Sequence, residues 1–299
     1  LCRAGLDVDA ARLGGDAVAF ADCHARCERC GIGITNEPDP DARTFLRRHW
    51  ADGLWDAESE RELVFVRKGR TLRQSRTKLA RFAEERSEDR LTWDVLYAIH
   101  RARRLDAAAR HLAGTDVRAP VRLRVWGHGL EEPDALDEMR AFLVDDVGEL
   151  ETHLPEFDAI LVSRSDVIFI EADFGSRHPY EVQSPRWDRY AELATASGDP
   201  VFVGVPESVD AELYPFARAW ACGARWTSLR AGAPRFHLVH VAKEGERAEI
   251  DGALAALVNP AVGSLRRVTW ESLVREVIPE LVPRLAAVTE HLRPAFPSL

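Results

Sequence analysis

Near the middle of the chain, Asp158 is followed after twelve intervening residues by Glu171-Ala172-Asp173, which ends the apolar run Val167-Ile168-Phe169-Ile170. Successive side chains of a strand point to opposite faces, so Phe169, Glu171 and Asp173 share one face while Ile168, Ile170 and Ala172 share the other. Asp158 opens the preceding apolar run, Phe157 to Ser163. The turn-sized link Arg164-Ser165-Asp166 makes an antiparallel hairpin the economical connection, and a hairpin brings Asp158 alongside Glu171. Three oxygen donors converging on one point suit a hard divalent cation, Mg²⁺ or Mn²⁺, with waters completing its shell. Unrelated carboxylates emerging into solvent at strand ends produce the same spacing.

Just beyond the acids stand Arg177, His178, Tyr180, Arg186, Trp187 and Arg189. On nucleic acid, Arg177, Arg186 and Arg189 would neutralise phosphates while Tyr180 or Trp187 stacks on a base. The same residues also describe a loop and helix packed on a sheet with solvated arginines.

A second cluster lies at the N-terminus, where Cys23-x3-Cys27-x2-Cys30 encloses His24 and follows Cys2. These are soft ligands fit for a tetrahedral zinc or an iron-sulfur cluster. The three-two spacing resembles the radical S-adenosylmethionine signature. Glu28-Arg29 stand where that family usually has an aromatic, however, and the rest of the chain lacks the strand-helix repeats of its barrel. Five cysteines, an odd number, do not form a secreted disulfide framework, and Cys222 between Trp220 and Trp226 reads as a core thiol.

The elements that would position these residues follow from periodicity. Leu91, Val95, Leu96, Ile99, Leu105 and Leu112 predict one helix from about Ser87, and Val121, Leu123 and Val125 predict a strand after Pro120. Asp134 opens a helix carrying Leu136, Met139, Phe142 and Leu143. Helices are predicted over 187–196 and 211–221, with strands over 200–205 and 236–241. The end reads as a helix pair, 249–257 and 270–292, the second interrupted by Pro279 and Pro283. Upstream, a short helix is predicted through Arg43, Leu46 and Trp50, and a strand at Leu63-Val64-Phe65-Val66. Residues 1–30 show no convincing period.

With 299 residues, 46% of them hydrophobic, the chain can bury a sizeable core. No apolar run is long enough for a membrane span, and the N-terminus lacks a secretory pattern, so the expected location is cytoplasmic. A net charge of -9 excludes coating of nucleic acid by bulk electrostatics but leaves a local basic groove open.

Pro155-Glu156-Phe157-Asp158 followed by Glu171-Ala172-Asp173 on a hydrophobic strand resembles the signature of the PD-(D/E)XK nuclease superfamily. In that superfamily an Asp and a Glu hold the metal, and a Lys two residues later assists the attacking water. Blocks at Ser87 to Val95, Ile168 to Ala172, Arg218-Ala219-Trp220 and Val268 to Glu271 are similar to uncharacterised bacterial and archaeal members, and together they cover residues 87 to about 275. The resemblance implies an α/β restriction-endonuclease-like core, a mixed sheet flanked by helices, over residues 87–299. Residues 31–86 would be an N-terminal extension and residues 1–30 a Cys-rich appendage. It implies Asp158 and Glu171 as metal ligands, Glu88 as the auxiliary acid with Glu151 its rival, and a Mg²⁺- or Mn²⁺-dependent endonuclease acting on DNA. The departure is Asp173, which puts a negative charge where the lysine would offset one. Asp173 is then either an extra ligand or general base in a two-ion site, or the mark of a catalytically inactive descendant that binds nucleic acid or a protein partner.

Overall fold

Arg103 takes a left-handed backbone conformation, with φ of 57°, and this ends the first long helix where apolar periodicity alone would have continued it. The structure is a computed structural model that describes residues 7–15, 20–38, 45–55, 58–73, 78–84, 87–173, 184–204, 209–210, 212–245 and 247–286. The chain divides into two compact units, residues 1–69, 75–98 and 280–299 in the first, and 70–74 and 99–279 in the second.

In the first unit, strands β1 (Asp7–Val8), β2 (Ala25–Cys27), β3 (Ile32–Ile34) and β4 (Phe45–Arg47) form an antiparallel sheet in that order. Strands of two or three residues are too short to leave an alternating pattern, which is why residues 1–30 read as featureless. Leu46 lies in β4 and not in a helix, because it buries fully in a small cluster with Cys23 and Ala83. Helices α1 (Ser59–Glu62), α2 (Val64–Arg67) and α3 (Lys78–Arg81) follow. The expected strand at residues 63–66 is thus helical. Phe65 and Val66 are buried while Val64 is 46% exposed, the one-sided burial that a helical turn produces. Helix α4 (Glu88–Arg101) enters the second unit in its last turn.

The second unit is a mixed α/β layer structure. After α5 (Leu105–Ala113) come β5 (Arg122–Val125), β6 (His128–Gly129), α6 (Ala135–Ala141) and a π-helical turn over Phe142–Asp146. Next are β7 (Ala159–Val162), β8 (Asp166–Ala172), α7 (Ser184–Ala191), α8 (Tyr214–Ser228) and β9 (Arg235–Ala242). The unit closes with α9 (Ala248–Leu257), β10 (Ser264–Thr269) and α10 (Trp270–Val277). The six strands run in the order β10-β9-β8-β7-β5-β6, with β8, β9 and β10 mutually parallel and the pairs on the β7 side antiparallel. The link from β8 to β9 therefore passes through helices, as a parallel pair requires.

Helix α8 packs on β8 and β9 through an aromatic layer: Phe169 meets Trp226 and Phe236 at 5.9 Å each, and Trp220 meets Phe236 at 5.1 Å. Each such buried aromatic contributes roughly 2–3 kcal/mol, against about 0.5 kcal/mol for an exposed ion pair, so apolar packing sets the seat of α8. On the opposite face Arg266 of β10 donates to the His111 and Leu112 carbonyls at the end of α5, 2.9 Å each. β10 went unrecognised in the sequence because its arginines break the apolar pattern. Arg266 satisfies helix carbonyls, and Arg267 pairs with Asp251 at 2.9 Å. The expected strand at residues 200–205 is reduced, among the described residues, to single bridges at Pro200 and Phe202.

Candidate metal and phosphate site

The hairpin expected between the two acidic segments is present. β7 and β8 pair antiparallel with Ala159 opposite Ile170 and Ile160 opposite Phe169. Continuing that register by one residue sets Asp158 opposite Glu171. Asp158 is locked there, since its Oδ2 accepts the Ala172 N–H at 2.8 Å and its carbonyl accepts the Trp126 N–H at 3.2 Å. Glu171 is in turn the register partner of His240 on β9. Phe169, two residues earlier on β8, faces α8, so Glu171 lies on the helix-covered side of the sheet, where it is 7% exposed.

Asp173 follows β8 directly. Its N–H donates to the Val241 carbonyl at 2.8 Å, its carbonyl accepts Trp270 Nε1–H at 3.0 Å, and the residue is 2% exposed. Its carboxylate has its own cations. Arg247 Nη1 donates to Oδ2 at 2.8 Å, and His240 Nε2 stands 3.9 Å from the same oxygen, an ion-pair distance too long for a hydrogen bond. Arg247 also reaches Glu212 Oε2 with Nη2 at 3.3 Å. His240 holds Asp251 Oδ1 with Nδ1 at 2.8 Å and packs edge-on against Phe216 at 4.7 Å. Burial favours the neutral imidazole, but Asp173 and Asp251 outweigh it and raise the His240 pKa. Burial likewise opposes ionisation of Asp251, yet His240 and Arg267 hold its carboxyl below the usual range.

On the α8 side, Tyr214, Arg218 and Cys222 follow one another at four-residue spacing on a single helix face. The Arg218 guanidinium lies over the Tyr214 ring at 5.6 Å. Burial works against its charge, but Tyr190, Glu171 and Tyr214 outweigh that effect and hold it protonated. Its Nε is buried and has no hydrogen-bond partner among the described residues. Glu149, 5% exposed, accepts the Tyr190 hydroxyl and stands 3.6 Å from Arg189 Nη1. Burial keeps the Cys222 thiol protonated.

The expected residues thus meet different fates. The β7–β8 register sets Asp158 opposite Glu171, while Asp173 is committed to Arg247. Glu88 belongs to the first turn of α4 in the first unit, and Glu151 is exposed in a 3₁₀ turn. The buried acid of that region is Glu149. Arg189 is engaged with Glu149, Arg177 lies outside the described residues, and so does the side chain of Arg186. Arg218, His240, Arg247 and Glu149 were not foreseen as site residues. The one signal was Arg218, inside the block Arg218-Ala219-Trp220; Arg247 sits in no pattern at all and adopts a left-handed φ of 53°.

For Mg²⁺ the donor set fits in one form. Such an ion is commonly held by one or two carboxylates with water and substrate oxygens filling the rest, which Asp158 and Glu171 can supply while Asp173 stays with Arg247. Among the described residues no group of three or more His, Cys, Asp or Glu side chains is arranged to hold a metal.

In the first unit Cys27 and Cys30 flank the β2–β3 turn, where Gly31 takes φ of 67° and its N–H donates to the Cys27 carbonyl at 2.9 Å. Cys30 is exposed. Cys23 is fully buried beside Leu46, and burial, with Asp22 nearby, pushes its thiol up to about 11. Cys2 lies outside the described residues.

In comparisons with known proteins, no family model, no curated protein and no solved structure matches the chain.

Proposed function

We propose that this chain is a divalent-metal-dependent nuclease with a restriction-endonuclease-like core in its second unit, hydrolysing phosphodiester bonds of DNA at Asp158 and Glu171. The observation that carries the reading is the β7–β8 register, which sets those two carboxylates side by side, with Asp158 fixed on the Ala172 N–H. The mixed sheet flanked by helices agrees with the core that the resemblance implies. A bound Mg²⁺ or Mn²⁺ would supply Lewis acidity to water and to a phosphoryl oxygen. The chain's own part is to hold two carboxylates in fixed register and to keep Asp173 paired with Arg247.

The test is cleavage of single- and double-stranded DNA with Mg²⁺ or Mn²⁺ by the wild type and by Glu171→Ala. Cleavage by the wild type alone is expected; absence of cleavage of any DNA or RNA under either ion sinks the proposal. A second reading, a non-cutting protein of the same fold that binds nucleic acid or a protein partner, draws support from the Arg247–Asp173 ion pair, which removes the third acid from the cluster. It predicts DNA retention on a filter without cleavage.

A further inference from the structure

We infer that Arg218 is the cation that meets the scissile phosphate, in the role left open by the absence of a lysine at position 173; this rests on the nuclease reading of Asp158 and Glu171. Among the described residues Arg247 pairs with Asp173 while Arg218 lies on α8, over the sheet face that carries Glu171, and the two differ in what they have left to give. Arg247 spends Nη1 on Asp173 at 2.8 Å and Nη2 on Glu212 at 3.3 Å. Arg218 has a buried Nε with no acceptor among the described residues. A buried donor left unsatisfied is costly, the more so in a charged group, and a ligand that supplies the missing partner removes that cost.

Three further observations fit a phosphate oxygen as that partner. Arg218 shares its face of α8 with Tyr214 and Cys222, both buried in the core that also holds Phe169, so it stands on the side of the sheet that carries Glu171, the carboxylate expected to hold the metal. Its plane is supported by the Tyr214 ring, so little conformational entropy remains to be lost on binding. It stands on α8, a fifteen-residue helix seated by buried aromatics, and not on a loop. In hydrolysis a water oxygen bonds to phosphorus, the P–O ester bond breaks, the water gives up a proton to solvent and the departing oxygen gains one. Negative charge on the non-bridging oxygens is what a fixed guanidinium stabilises.

The experiment compares wild type, Arg218→Gln, Arg218→Ala and Arg225→Gln for DNA cleavage and for binding of Mn²⁺ alone, read by electron paramagnetic resonance. Arg225 is the other arginine of α8, occupied by the Ala194 carbonyl at 3.3 Å and by Asp146 at 3.5 Å. Arg218→Gln is expected to lower kcat about hundred-fold, the usual loss for one transition-state donor, while Mn²⁺ binds several-fold tighter because a positive charge beside Glu171 is gone. Added guanidinium ion is expected to restore part of the activity of Arg218→Ala, which it cannot do for a merely structural arginine. Arg225→Gln is expected to change neither readout. If wild type cuts and Arg218→Gln cuts equally well, or if the variant loses Mn²⁺ binding along with activity, the assignment of Arg218 is overturned and the nuclease reading stands. If wild type cuts nothing, the nuclease reading fails and the assignment falls with it.

Discussion

Arg247 Nη1 donates to Asp173 Oδ2 at 2.8 Å, so the negative charge that replaces the expected lysine is paired with a cation delivered from 74 residues downstream. Asp173 is almost fully buried, and a buried carboxylate that loses its partner is costly. Arg247→Ala is expected to destabilise the second unit by about 2–3 kcal/mol, discounted for the part-exposed guanidinium. Urea unfolding measures it. Adding Asp173→Asn should recover much of the loss, and a double variant no better than Arg247→Ala would show that the pair is not the source.

Asp166 and His237 each make a contribution to the stability of the second unit whose pH dependence has a definite sign. His237 Nε2 lies 2.9 Å from Asp166 Oδ1, and burial lowers the His237 pKa from 6.5 despite that carboxylate. Burial of Asp166 opposes ionisation, but Arg235, Ser165 and His237 outweigh it and lower its pKa from 3.8. Both groups bind protons more readily in the unfolded chain, so stability rises with pH through each window. Read by the unfolding midpoint, the stability contributed by His237 should fall as pH drops below about 6.5, where the raised His240 pKa acts in the opposite sense, and that contributed by Asp166 should fall below about 4. His237→Gln should flatten the upper window. An unchanged slope there would assign the effect to other groups.

Gly223 sits on α8 where a Cβ would come within 2.6 Å of Phe236 Cζ and 3.2 Å of Phe169 Cγ. Replacing a helical glycine by alanine ordinarily gains up to about 1 kcal/mol. Here overpacking of about 1–3 kcal/mol opposes it. Gly223→Ala is therefore expected to lower the thermal midpoint; a raised midpoint would mean that α8 can lift from the strands without cost.

Cys23 and Cys30 should react in a fixed order. Cys23 is buried with its thiol raised to about 11, and Cys30 is exposed. At pH 8 a disulfide reagent, followed by peptide mass mapping, should label Cys30 in the folded protein and Cys23 only after unfolding. Early labelling of Cys23 would show that the cluster with Leu46 and Ala83 opens readily.

The strands around the acids were legible because each is a short apolar run bounded by turn residues, and the hairpin followed from a link too short for anything else. The elements that were misread share a cause. Leu63 to Val66 is helical and Leu46 is in a strand because which side of a short apolar stretch is buried depends on neighbours distant in sequence. β10 was hidden because Arg266 and Arg267 spend their charges on a helix end and on Asp251, partners that no local pattern announces.

By itself the sequence determined the facing of Glu171 and the hairpin that carries Asp158, since both follow from the two-residue period of a strand and from chain connectivity. Only the tertiary structure decided what Asp173 does. Its charge is answered by Arg247 and His240, brought by a loop and by a neighbouring parallel strand, and such pairings arise from packing between segments far apart in the chain.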